Sequence, residues 1–175
     1  AKGALVRNFK PLKTEQMEVD RVNESRKGSG FPLRIPVLDM IEIGSGGGSI
    51  AGIDDRGLLR VGPRSAGANP GSVCYGQGGE NATLTDANLI LGYLDPEFFL
   101  GGSITLNKEA AHETIKDNLA QPLSLSTTRT AWGIHETASE DIARAFRIHA
   151  AERGFDYRGA TMIAFGGSGP LHAMS

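Results

Sequence analysis

The chain has 175 residues, 39% of them apolar, a formal net charge of −2, 24 glycines and one cysteine. That is one domain's worth of chain, able to bury roughly 70% of its unfolded surface. The near-zero charge offers nothing to nucleic acid or an anionic membrane surface, and no apolar run approaches the ~18–20 residues that span a bilayer.

Residues 1–30 carry the least pattern, and we treat them as a poorly defined segment. The first ten are positively charged but lack the apolar run of a signal peptide, and we expect them to be mobile where a natural neighbour is missing. A strand end is faintly suggested at residues 19–22. Lys27-Gly28-Ser29-Gly30 reads as a flexible joint.

From Phe31 the chain reads as extended. Pro32 and Pro36 exclude a helix, and residues 37–43 have strand propensity. Gly44-Ser45-Gly46-Gly47-Gly48-Ser49 follows. A P-loop needs Lys-Ser/Thr after its last glycine, where Ser49-Ile50 stands here, and a dinucleotide fingerprint needs a helix next. Instead Ile50-Ala51-Gly52-Ile53 and Leu58-Leu59-Arg60-Val61 flank Asp54-Asp55-Arg56-Gly57, a hairpin closed by a type I or I′ turn. Two readings of the glycine loop stay open: a bend where backbones crowd, or a ligand-facing loop through Gly46, Gly47, Gly48 and Ser49.

About twenty aperiodic residues come next, a length that marks functional or disordered loops. Arg64 is the cation within them: a solvated surface arginine, or an anion contact. Thr85 or Asp86 is expected to cap a short helix over 87–94. Asp86 serves as cap alone, or as cap and site carboxylate. Asn107 caps a helix over 108–120 whose buried face is Ala111, Ile115 and Leu119, leaving His112 outside. Ser126 caps the longest helix, 126–153, with Ala131, Ile134, Ala138, Ile142 and Ala145 at 3–4 spacing, Trp132 and Phe146 widening the face, and Gly154 closing it. At about 42 Å it needs a kink, with Gly133 the place for one, or a large sheet beneath it. His135-Glu136 lacks the second histidine of a zinc motif, since Ser139 stands there. The four histidines show no ligand spacing, so no metal site is expected. His149 reads as a satisfied core histidine.

Residues 161–165 read as a strand buried on both faces. Gly166-Gly167-Ser168-Gly169 is an abrupt turn, and Pro170 and Leu171 start a helix. A nucleophile elbow is disfavoured, because Pro170 replaces the last glycine and no Asp–His pair can be placed with it. Backbone ligand binding at a strand's carboxyl end and simple close packing both stand. Barely one helical turn follows the strand, too little to cover it. We therefore expect part of a longer protein, truncated at its C-terminus and inactive alone. Lone Cys74 excludes an internal disulfide and fits a reducing cytoplasm. The fold class is α/β, with strands and hairpins first and helices second.

Six blocks now stand in order: residues 43–51, 61–71, 74–76, 85–89, 99–102 and 164–173. Together they resemble the hydantoinase A/oxoprolinase family, which includes N-methylhydantoinase A and the related subunit of ATP-dependent acetone and acetophenone carboxylases. The resemblance covers residues 28–175. Ser45 and Ser168 stand where the family often has alanine, and Ser72-Val73 where Pro-Ala is common. The resemblance implies part of an actin-like ATPase domain over 31–175, with the ribonuclease H-like core of sugar kinases and Hsp70. It implies ATP and Mg²⁺, and phosphorylation of a cyclic amide for hydrolysis. A ketone carboxylase subunit is the alternative within the family, and a non-catalytic interface module the alternative outside it. Gly166, Gly167, Ser168 and Gly169 become the adenosine-side motif. Gly46, Gly47, Gly48, Ser49, Arg64 and Asp86 are left as a candidate substrate or interface loop. The family's two Asp-Gly-Gly-Thr-type phosphate loops are not in this sequence, so no catalytic or Mg²⁺-binding residue carries over. The implied partners are the remaining chain and a hydantoinase B-type subunit.

Overall fold

The computed structural model describes residues 1–19 and 28–174. Its N-terminal part is an antiparallel ribbon. Strand β1 (Lys2–Ala4) pairs with β8 (Met40–Glu42), β4 (Lys13–Thr14) with β7 (Val37–Leu38), and β5 (Met17–Val19) with β6 (Phe31–Leu33). Strands β2 (Val6–Arg7) and β3 (Lys10–Pro11) form a small side hairpin. The first ten residues, expected to be mobile, are held by these pairings. The strand end expected at 19–22 is described only at Val19, and the Lys27 end of the expected joint lies outside the described residues.

The glycine loop leads into β9 (Ser49–Ile53), which pairs with β10 (Leu59–Ser65) in the expected hairpin. Gly57 N donates to Asp54 O at 2.8 Å. The only positive φ in the turn is that of Gly57. A type I′ turn needs positive φ at both central residues, so the turn is type I. The Asp54 carboxylate accepts from the amides of Arg56 and Leu58 and locks the loop.

The aperiodic stretch is not a surface loop throughout. Ser72 and Cys74 are fully buried around a 3-10 turn at Val73–Tyr75. Helix α1 (Leu84–Ile90) starts three residues before the expected position. Its cap is Thr83, and Asp86 occupies the third helical position of a capping box. The Thr-x-x-Asp spacing carries that signal, with Asp in the place usually held by Glu or Gln. Helix α2 (Lys108–Ile115) is capped by Asn107, whose side chain accepts from Ala110 N at 2.9 Å, and it continues in a wider turn at Lys116–Ala120.

Helix α3 (Thr127–Glu152) is capped by Ser126 as expected and runs about 39 Å as one uninterrupted helix. Gly133 serves another purpose. A Cβ there would lie 3.1 Å from Leu59 Cδ2, so the glycine lets β10 approach the helix. Ala51, Ala82, Ala87, Ala131 and Ala138 with Leu84, Ile115, Leu119 and Ile134 form the main core between the hairpin and three helices. So many alanines bring the backbones close. The far half of α3 supports the ribbon: the Arg153 guanidinium pairs with the Asp39 carboxylate through two nitrogens, and the Phe146 ring fills the space a side chain at Gly3 would occupy.

The expected strand at 161–165 is not formed. These residues are exposed and carry no strand pairing. No strand among the described residues lies alongside them, so their apolar side chains have nothing to pack on. His149 is buried at 4% exposure as expected and hydrogen-bonds to the Asp39 backbone, but its Nε2 has no partner, so it is only half satisfied. No helix among the described residues is long and apolar enough to cross a membrane.

Candidate functional site

Helix α1 is the hub of the predicted site. Its start is held from inside by a buried polar network. The Asp86 carboxylate accepts from Cys74 N, Thr83 N and the Thr83 hydroxyl, each at 2.8 Å, and the Thr83 hydroxyl also lies 2.8 Å from Ser72 Oγ. Ser72, Cys74, Thr83 and Asp86 are all fully buried. Burial, followed by the Asp86 carboxylate, pushes the Cys74 thiol far up, so it stays protonated and unreactive. Asp86 is thus enclosed, and its oxygens are committed to the loop that carries Cys74 and to the helix cap. As a candidate ligand-facing carboxylate it is corrected to an internal brace.

On the outer side of α1's first turn sits the glycine loop. Thr85 N donates to Gly47 O at 2.8 Å, Ala66 N to Gly48 O at 2.9 Å and Ser49 N to Gly46 O at 2.9 Å. Gly46 N in turn donates to Ser49 Oγ at 3.0 Å. A Cβ on Gly47 would come 2.7 Å from Thr85 Oγ1, and one on Gly48 2.9 Å from Ser65 Oγ. Those two glycines are crowded, as the bend reading expects. Gly46 is different: its φ is not positive, and a Cβ would meet nothing within 4 Å. A trans peptide points its N–H opposite its C=O. The carbonyls of Gly46 and Gly47 are used inward, so the amides of Gly47 and Gly48 face the other way. Among the described residues neither amide donates to a protein acceptor. Ser45 Oγ, in a residue only 9% exposed, is also without a partner. Arg64 precedes Ser65, which pairs with Ser49 across the hairpin, and its side chain is exposed.

The C-terminal turn reaches the same helix by another route. Gly166 has φ 92°, a left-handed conformation that favours glycine. Gly167 and Gly169 have no such need, and a Cβ on either meets nothing within 4 Å. Ser168 precedes a 3-10 turn at Gly169–His172, but its side chain makes no cap bond. His172 docks this turn. Its ring stacks on His135 at 4.6 Å, and its Nδ1 lies 3.0 Å from Ser139 Oγ. His135 Nδ1 lies 2.8 Å from Asn88 Oδ1 on α1. Burial first, then the charges of His135 and the N-terminal amine, push His172 down to about 4.

The structure therefore brings Gly46, Gly47, Gly48 and Ser49 to one end of α1 and the loop after Arg64 beside them. It ties the 166–169 turn to α1 through His172, His135 and Asn88. The sequence reading missed His135, Asn88 and Ser139. His135 and Ser139 sit four apart beside Ile134 and Ala138 on the buried stripe of α3, and that spacing was the available signal. Among the described residues no three His, Cys, Asp or Glu side chains gather as metal ligands. Two open surface depressions, one lined by Ala151 and residues 154–158, the other by Pro96, Glu97 and residues 105–109, hold none of the predicted site residues.

A family model described as hydantoinase/oxoprolinase matches residues 4–175. A protein of Methanocaldococcus jannaschii is 46% identical across 99% of this chain, which covers 26% of that protein. Caprolactamase subunit alpha of Pseudomonas jessenii is 47% identical across 82% of the chain and 21% of its own length. The crystal structure of the ATP-dependent caprolactamase from that organism superposes with a TM-score of 0.68 over 74% of this chain and 19% of that one. The nucleotide-free structure of an acetone carboxylase, described for ATP-dependent acetone carboxylation, gives a TM-score of 0.75 at 33% identity over 81% of this chain and 20% of that one. The chain thus spans about a quarter or less of the proteins it matches.

Proposed function

The chain belongs to the hydantoinase/oxoprolinase family, and from that premise we propose that it is part of an ATP-dependent cyclic-amide hydrolase of the hydantoinase/5-oxoprolinase type. The observation that carries the proposal is the match of nearly the whole chain to this family, together with 47% identity to a caprolactamase subunit, whose name denotes a cyclic amide. The likeness to two ATP-dependent enzymes supports ATP as co-substrate. Residues 31–175 are then part of an actin-like ATPase domain. The subunit designation of the caprolactamase supports a second, hydantoinase B-type subunit as partner.

Bound ATP, with Mg²⁺, supplies the phosphoryl group that activates the amide oxygen. The Mg²⁺ ligands lie elsewhere in the intact protein on this reading. This chain's residues bind and orient. The backbone at Gly167 and Gly169 would face the nucleoside side of ATP, and a Cβ at either position meets nothing within 4 Å. Gly46 offers the same room at the other loop. The outward amides of Gly47 and Gly48, with the Arg64 cation on the adjoining strand, suit an anionic oxygen of the substrate or its phosphorylated form. Asp86 holds the Cys74 loop to the start of α1.

In the intact protein, ADP release should rise with a hydantoin, a pyrrolidone carboxylate or a lactam, and not with a ketone plus bicarbonate. The opposite preference assigns the chain to a carboxylase subunit, a reading the acetone carboxylase likeness keeps in view. No ATP turnover with either class leaves a structural module. Gly167→Val is the sharper site test, because the backbone and its surroundings tolerate a side chain there. We expect at least a tenfold loss of ATP affinity with the thermal midpoint unchanged. Wild-type affinity would remove the turn from the nucleotide site.

A further inference from the structure

Asn88, His135 and Ser139 are buried and belong to neither candidate loop. Their hydrogens follow from the bonds they make. Asn88 Oδ1 only accepts, so His135 Nδ1, 2.8 Å away, carries the hydrogen and donates. Ser139 uses its one hydroxyl hydrogen on His135 O at 2.9 Å. Towards His172 Nδ1, 3.0 Å away, Ser139 Oγ therefore accepts and the imidazole donates. A neutral imidazole has a single N–H, and burial keeps His172 neutral. His172 Nε2 is then a bare acceptor, buried without a donor. His135 is fixed from several directions: Trp132 stacks with it at 5.7 Å, the Tyr93 ring lies 5.0 Å away and the His172 ring stacks at 4.6 Å. Among the described residues, His172 makes the one hydrogen bond that joins residues 161–174 to another element.

Asn88 stands three residues after Thr85 on α1, about 4.5 Å along the axis. Thr85 N holds the glycine loop through Gly47 O at 2.8 Å. A continuous chain of contacts therefore runs from the 166–169 turn through His172, His135, Asn88 and Thr85 to Gly47. Such a chain transmits only if one of its links has two states. The docking of His172 is that link, because one ring nitrogen is bonded while the other is buried unsatisfied. We propose that His135 and Asn88 are positioning residues, through which nucleotide bound at the 166–169 turn sets the glycine loop for the amide substrate, so that the two ligands bind cooperatively. This rests on the nucleotide and substrate assignments proposed above. Coupling of binding is reciprocal: the nucleotide tightens the amide by the same factor as the amide tightens the nucleotide.

The test is the affinity of the intact protein for β,γ-imido-ATP, which is not hydrolysed, with and without a saturating cyclic amide. The amide is whichever of a hydantoin, a pyrrolidone carboxylate and a lactam best stimulates ADP release. It should tighten the nucleotide by about fivefold or more. His135→Phe keeps a ring to stack on His172 and removes the donor to Asn88. Ser139→Ala, a smaller change, removes the acceptor of His172. Each should abolish the coupling while nucleotide alone still binds. Loss of both ligands together with the thermal midpoint would mean a structural role only, and overturns the proposal. So does wild-type coupling in either variant, or no coupling in the wild type. If Gly167→Val loses the nucleotide while His135→Phe keeps its coupling, the relay falls and the nucleotide site stands. If the wild type does not bind β,γ-imido-ATP, that site falls and the relay with it.

Discussion

Asp86 shows how a single buried carboxylate braces the start of a helix from inside. Its two oxygens take three donors in a fully buried place. Removing a buried acceptor leaves each donor unsatisfied at about 1–3 kcal/mol. Asp86→Ala should therefore lower stability by about 3 kcal/mol or more, read from the urea midpoint. Arg64→Ala, at an exposed position, should stay within about 0.5 kcal/mol. His172 works through its proton. Its ordinary value of 6.5 falls to about 4 in the fold, chiefly through burial. Between those two values the folded state binds fewer protons than the unfolded, so stability rises with pH. The stabilisation is complete above about pH 6.5 and declines as pH falls towards 4. His172→Gln should flatten that decline in a pH series of thermal midpoints; an unchanged slope would show that another group, such as the buried His149, sets it.

Among the elements, α3 is the clearest case of sequence reporting structure. Its cap and terminating glycine are where residue chemistry puts them, and of the expected stripe Ala131, Ile134 and Ala138 are buried, Ile142 and Ala145 half-buried, and Trp132 is exposed. Gly133, offered as a place for a kink, instead answers a packing demand, the approach of Leu59. That contact is with the end of a flexible side chain, so Gly133→Ala sets a small shift of Leu59 against roughly 1 kcal/mol of helix propensity. We expect a stability change within about 1 kcal/mol of zero. Gly133→Leu should cost more than about 2 kcal/mol, because the alanine-rich core has no room to move. Equal midpoints for the two variants would refute the packing account. Helix α1 was placed three residues late because Asp86 is a good cap by type. The Thr83-x-x-Asp86 spacing holds the capping-box signal, whereas only the fold supplies Cys74 as a further donor to Asp86.

For the molecule as a whole, several large apolar side chains stay in solvent beside the core. Phe9, Ile163, Phe165 and Met174 are more than four-fifths exposed. We expect residues 1–175 alone to self-associate in light scattering and, because they match only about a quarter or less of the relatives' length, to hydrolyse no ATP above background. A monodisperse, ATP-hydrolysing preparation would contradict both statements.

Local chemistry by itself determined the hairpin, three capped helices, the glycine clusters and, through the order of six blocks, the family. Those features depend on neighbours within a turn or a strand, so residue type and spacing suffice. Tertiary structure decided that Asp86 faces inward, that His135 joins Asn88 to His172, and that Gly46 and Gly167 are free where Gly47 and Gly48 are crowded. It also decided that 161–165 lies bare. Each of these depends on which distant segment arrives alongside, and a strand has no stable form until its neighbours do.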